Sequence, residues 1–216
     1  MFIGHFGIGF GAKKLAPQIS LGVLFIATQF LDLLWPVLLL LDIEHVRIAP
    51  GITKLTPLDF FDYPISHSLA LVVFWALICA LLTQLFTKKS KYAFIIFACV
   101  LSHWFLDLIV HRPDLPLMPG SDLYVGLGLW NSVFLTILIE LILFLGGAFI
   151  YGKSTIAKNN FGKYGLIALI LLFLIIQTAN MTGPPPPDVN VIAWAGNLQW
   201  LFVILAFYVD KNRKTV

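Results

Sequence analysis

The sequence is poor in charge. Only 12% of its 216 residues are charged, against 59% that are hydrophobic. Soluble domains carry roughly twice that share of charge. The shortage excludes a soluble globular domain whose apolar residues merely fill a core, and leaves lipid as the solvent of the surplus. Cysteine is scarce as well. Cys79 and Cys99 both lie inside apolar runs and have no CxxC partner. That excludes a disulfide framework or a cysteine-built metal site and leaves two buried thiols. No internal repeat is present. No basic segment precedes the first apolar stretch; Lys13 and Lys14 follow it, the reverse of a cleaved signal peptide.

What the chain has is long apolar runs, near 18–41, 67–87, 92–110, 124–151, 164–180 and 191–209. A helix needs about 20 apolar residues to cross a bilayer. Backbone groups in lipid must be satisfied within the segment, so such runs read as helices. The expected fold is an all-α, polytopic membrane bundle forming one integral membrane domain over 1–216, with six transmembrane helices. Residues 1–16 are apolar but too short to span. Gly4, Gly7, Gly9 and Gly11 suit a short half-membrane helix packed closely on its neighbours, ending at Lys13-Lys14. The linkers are punctuated by Pro50, Gly51, Pro57 and Pro64, by Lys88-Lys89-Ser90-Lys91, and by Pro184 to Pro187. The last reads as a stiff outer spacer or, alternatively, a ligand for a partner.

Basic residues set the orientation. With both termini in the cytoplasm, that side holds Lys13, Lys14, Lys88, Lys89, Lys91, Lys153, Lys158, Lys163, Lys211, Arg213 and Lys214. The outer side holds only Arg47, Lys54 and Arg112.

Ionisable groups inside a membrane are costly and call for a reason. Five stand out: His5, Asp32, His103, Asp107 and Glu140, with His67 and His111 at outer helix ends. Counted from the cytoplasmic anchors at about 1.5 Å per residue, His5 lies about 13 Å in, His103 about 18 Å, Glu140 about 20 Å and Asp32 about 21 Å. Gln177 and Asn197 fall in the same layer. His103 and Asp107 are spaced i, i+4 on one helix face, so both can reach one ion. Imidazole with carboxylate is a usual ligand set for zinc and related divalent ions. A proton relay and a hydrogen-bonded packing network are the competing readings. Arg112 is the arginine near this cluster, suited to a phosphate or carboxylate, or to a lipid headgroup. Asp62, Tyr63 and Ser66 either line the same mouth or serve as turn and cap residues. His45 beside Glu44 reads as solvated surface. Trp35, Trp194 and Trp200 read as interface anchors or packing, and Trp104 and Trp130 as packing near the cavity.

The order of these residues resembles a bacterial inner-membrane family of membrane-bound metal-dependent hydrolases, one member of which is LexA-regulated. The resemblance rests on His5, the Phe30-Leu31-Asp32-Leu33 segment, Ser66-His67, and Ser102-His103 with Asp107, and so covers the first half of the chain. That family is in turn similar to the zinc-dependent phospholipase C and single-strand nuclease superfamily. The resemblance implies that Asp32, His67, His103 and Asp107 hold one metal, and His5 with a shared Asp107 a second. A third site is matched only by His111 and distant Glu140, and the family's Pro-Asp-x-Asp-like segment is reduced here to the single Asp32.

The resulting expectation is a metal-dependent hydrolase of the bacterial inner membrane. Its cofactor would be a divalent ion, zinc by resemblance. Its substrate would be a phosphoester in a lipid or lipid-linked molecule at the outer leaflet. Its partners would be membrane lipids and no nucleic acid. Asp32 or Asp107 would act as base or water-orienting group and Arg112 would hold the phosphate. The alternative is an ion or proton-coupled transporter using the same cluster. Against it, the inner half is almost purely apolar apart from Thr83 and Gln84.

Overall fold

A computed structural model describes residues 1–216. Ten helices follow one another: α1 Ile3–Leu15, α2 Leu21–Thr28, α3 Phe30–Leu40, α4 Pro64–His67, α5 Leu69–Thr87, α6 Ser90–Val110, α7 Val133–Ser154, α8 Asn160–Thr182, α9 Val189–Asn197 and α10 Gln199–Lys211. Three two-stranded antiparallel sheets tie the loops: β1 His45–Ile48 with β2 Leu58–Asp62, β3 Leu115–Pro116 with β4 Tyr124–Val125, and β5 Thr155–Ala157 with β6 Arg213–Thr215. Helices α5, α6, α7, α8 and the α9–α10 pair are long and apolar enough to cross a membrane, and α2 with α3, bent by 61° to each other, are apolar enough as a pair for a sixth span or a re-entrant loop. The all-α membrane bundle expected from the apolar runs is therefore the observed class.

Helix α1 is the piece that positions the site. Its 13 residues extend about 20 Å, short of the roughly 30 Å hydrocarbon layer. It is buried within the bundle and packs chiefly on α7. There the backbones nearly touch: a Cβ added at Gly147 would collide with the Gly7 carbonyl, and one at Gly7 with the Leu143 carbonyl. Small residues permit this approach. Around α1 lies an aromatic core of Phe6, Phe10, Phe25, Phe144, Phe173 and Phe202. Phe173 stands 4.4 Å from both Phe6 and Phe202, ring centre to ring centre.

Both ends of α1 depart from expectation. Met1, expected on the cytoplasmic side, is buried within the bundle, its α-amino group 2.7 Å from Asp107 Oδ1. Lys13, expected as a membrane-face anchor, is also buried. Its Nζ lies 2.6 Å from Asp210 Oδ2 and donates to the Ile19 carbonyl at 2.8 Å. Asp210 also accepts the Tyr151 hydroxyl and the Leu21 N–H. Lys14 remains exposed.

Two apolar runs are interrupted. The run near 18–41 breaks at Gln29, whose φ of −108° leaves the helix. The Gln29 amide donates to Gln199 Oε1 at 2.7 Å, linking this break to the start of α10. The run near 124–151 becomes helical only at Val133, because the preceding segment forms β4 and a 3-10 turn, Leu129–Asn131, entered through Gly128 at φ +72°.

In the β1–β2 hairpin, His45 Nδ1 lies 2.7 Å from Asp62 Oδ2, with Asp42 also close. The hydrogen bond to Asp62 raises the imidazole above its ordinary value. The pair therefore adds stability below the unfolded-state value of about 6.5 and loses it as pH climbs through the folded-state value. NMR titration should place His45 above 6.5, and Asp62→Asn should bring it back down; an unshifted wild-type imidazole would contradict the pairing.

Candidate metal centre

Five residues from four helices converge where α1 begins. Helix α6 presents His103 and Asp107 one turn apart, as their spacing required. Helix α1 brings His5, whose ring stacks on His103 with centroids 3.6 Å apart. Just beyond the break at Gln29, α3 contributes Asp32, and the single turn of α4 contributes His67. Their donor atoms form two groups, His5-His103-Asp107 and Asp32-His67-His103, each with all atoms within 4.8 Å of one another.

The contact distances are more telling. His103 Nε2 lies 3.1 Å from Asp107 Oδ2 and 3.7 Å from Asp32 Oδ1. His67 Nε2 lies 3.6 Å from Asp32 Oδ1 and 3.8 Å from Asp107 Oδ2. A tetrahedral ion with ligands at about 2.0–2.1 Å separates them from one another by about 3.3–3.4 Å. Asp107 turns its other oxygen to His5 Nε2, at 3.2 Å, and so stands between the two groups.

The state of His103 follows from its second nitrogen. Nδ1 lies 2.8 Å from the Thr28 carbonyl, which only accepts, so Nδ1 carries the proton. Thr28 ends α2, and the break leaves its carbonyl free for this bond. In the neutral ring Nε2 is then a lone pair. It is buried and makes no aligned hydrogen bond, although two carboxylate oxygens face it. The Met1 α-amino group supplies one positive charge, at Asp107 Oδ1; the lone pairs around His103 Nε2 call for a further cation among them, a proton or a metal ion.

A model of the YdjM inner membrane protein family matches residues 39–183, more than half of the chain. The chain belongs to the YdjM inner membrane protein family. In this YdjM chain the matched stretch contains His67, His103, Asp107, His111 and Glu140, and begins after His5 and Asp32. No curated protein and no solved structure matches it.

Three residues expected at the site have other partners in this YdjM member. Glu140, expected as a ligand, instead accepts the N–H groups of Phe2 and Gly4 through Oε2, at 3.1 and 3.3 Å. A buried helix start has N–H groups without partners and no water to take them, so a carboxylate must. His111 is buried at the end of α6, with Nδ1 2.9 Å from Asp114 Oδ1 and 3.4 Å from the Tyr63 hydroxyl. Burial pushes its imidazole down from the ordinary value, against the pull of Asp114. Neither residue belongs to the two donor groups. Arg112, expected to hold phosphate, is committed to Asp59 and Asp114. With two carboxylates already on the guanidinium, an incoming anion finds its charge spent.

The cluster opens into a cavity of about 670 Å³ that includes Asp32, His67, Asp107, His111 and Glu140 in its walls, a size suited to a small ligand or headgroup. Its apolar walls include Trp35, Phe60 and Trp130, and its polar ones Gln177, Asn180 and Gln199. Pro184 and Pro186 also line it, so the tetraproline contributes cavity wall. Asn197, expected in the polar layer, instead donates to the Ala193 carbonyl on its own helix.

Sequence reasoning missed Glu44. Noted only as the neighbour of His45, it is 1% exposed and bonded to Ser66, the neighbour of His67. Its only sequence signal was a carboxylate just past an apolar run.

Proposed function

We propose that this YdjM-family protein is a membrane-embedded, divalent-metal-dependent hydrolase acting on a phosphoester of a lipid or lipid-linked substrate, zinc being the ion that best suits the donors. The observation that carries the reading is the convergence of His67 Nε2 and His103 Nε2 on Asp32 Oδ1 and Asp107 Oδ2, with imidazole–carboxylate separations of 3.1 to 3.8 Å, near the spacing of neighbouring ligands on one tetrahedral ion. His5 lies against the other oxygen of Asp107, but the Met1 α-amino group holds that oxygen at 2.7 Å, so a second ion there would have to displace it.

A bound divalent ion supplies Lewis acidity to a phosphoryl oxygen and makes water a competent nucleophile near neutral pH. The protein's own residues do the rest. Asp32 is the most open of the carboxylates, its side chain 24% exposed beside the cavity, and serves as the base that orients water and takes its proton. Gln177 and Gln199 offer amides to polar groups of the substrate, while Trp35, Phe60 and Trp130 keep bulk water away. No lysine or arginine lines the cavity. The one cationic group there, the Met1 α-amino group, is paired with Asp107, so an anionic phosphoester draws its attraction from the metal against the charges of Asp32 and Glu140.

The basic residues support an orientation with the C-terminus and the lysine-rich ends in the cytoplasm and the cavity facing the outer leaflet. Contacts of Lys89 with Gln18, Lys158 with Lys211, and Arg213 with Thr155 gather that basic face. The aromatic core around Phe6, Phe10 and Phe25 packs against α1 beside the cluster and offers no polar lining for a transport path on that side.

Detergent-purified protein should carry stoichiometric divalent metal and cleave phosphoesters presented in lipid vesicles, and chelation should abolish the reaction. Asp32→Asn should lower the rate by about 10²–10⁴-fold, the usual worth of a general base. Metal-free wild-type protein, or turnover that survives chelation, would defeat the reading.

A further inference from the structure

We infer that Glu44, acting through Ser66, is a positioning residue that holds His67 in the tautomer able to bind a metal; the inference rests on the metal-centre reading above. Glu44 sits between α3 and β1, remote in sequence from every donor residue. It is 1% exposed, and Ser66 is fully buried. A buried carboxylate without a cationic partner is costly, and here three hydrogen bonds offset that cost. Its two oxygens do different work. Oε1 accepts the N–H groups of Ile65 and Ser66 at 2.6 and 2.8 Å, which caps the single turn of α4. Oε2 accepts the Ser66 hydroxyl at 2.5 Å.

The second bond decides a proton position. Ser66 Oγ also lies 2.7 Å from His67 Nδ1. An ionised carboxylate only accepts, so the one hydroxyl proton of Ser66 goes to Glu44. Ser66 Oγ must then accept from His67, which places the imidazole proton on Nδ1. The lone pair is left on Nε2, the nitrogen facing Asp32 and Asp107 at 3.6 and 3.8 Å. His103 is held in the same form by the Thr28 carbonyl. Both imidazoles of the quartet thus have their outer nitrogen bound to an acceptor, which is how metal-binding histidines are fixed in general. For His67 the acceptor is a hydroxyl, which could donate just as well. Glu44 removes that freedom.

Glu44→Gln separates this role from capping. The glutamine oxygen still caps α4, but its NH₂ donates to Ser66. The hydroxyl proton then turns to His67 Nδ1, and the imidazole proton moves to Nε2, where it blocks coordination. Co²⁺ titrated into the full-length, detergent-purified protein and followed by its visible absorption should bind about 10–100-fold more weakly in this variant. ¹⁵N-histidine NMR of the metal-free protein should show His67 moving from the Nδ1–H to the Nε2–H form. Ser66→Ala, which leaves the backbone cap intact, should weaken Co²⁺ comparably, and the double variant no further. Wild-type Co²⁺ affinity in Glu44→Gln, or an unchanged tautomer, overturns the inference and leaves the metal centre standing. A wild-type protein that takes up no Co²⁺ removes both.

Discussion

Asp107→Asn is expected to strip the protein of stoichiometric divalent metal, weakening binding by at least about 100-fold, beyond the upper end of what losing a supporting partner costs. The size follows from the position of the carboxylate. Oδ2 faces His103 and His67, and Oδ1 faces His5, so this side chain touches both donor groups. Asparagine keeps the shape and loses the charge. It also directs an N–H at one of the imidazole lone pairs, so an ion meets a donor where it had an acceptor. Elemental analysis of the variant beside wild type reads the effect directly. Wild-type metal content in a folded Asp107→Asn protein would mean that the convergence of imidazoles and carboxylates serves packing alone.

Lys13→Ala should destabilise the fold by about 3–5 kcal/mol, the cost of leaving a buried charge without its partner. Lys13 and Asp210 are 5% and 10% exposed at their side chains and 2.6 Å apart. Asp210 would keep Tyr151 and the Leu21 N–H, neither of which carries charge. Lys13→Met with Asp210→Leu should cost less than Lys13→Ala, because the double change removes both desolvated ions. Denaturant unfolding in detergent compares the variants. A loss within about 0.5 kcal/mol for Lys13→Ala would mark the pair as no different from a surface ion pair.

The spans were legible because lipid imposes one rule on every residue of a segment: apolar outside, backbone bonds satisfied inside. The His103–Asp107 pairing was legible because four residues is one helical turn. The roles of Glu140, Arg112 and Glu44 were not. Each depends on a partner distant in the chain: the start of α1 for Glu140, Asp59 on β2 for Arg112, and the turn of α4 for Glu44. A carboxylate that caps a helix and one that binds a metal look alike in sequence. The break at Gln29 was hidden because every residue around it is acceptable in a helix, and what stabilises the break is an amide on α10.

The amino-acid sequence by itself determined that the chain enters the membrane, which stretches are its long apolar segments, and which few polar side chains they carry, since hydropathy and helical period are properties of local segments. Only the tertiary structure decided which of those side chains meet. His5, Asp32, His67, His103 and Asp107 come together because a half-length helix is drawn into the bundle by backbone contact at Gly7 and Gly147 and because a span bends at Gln29. Close packing between distant segments chooses the partners of a buried polar group, and no local pattern carries that information.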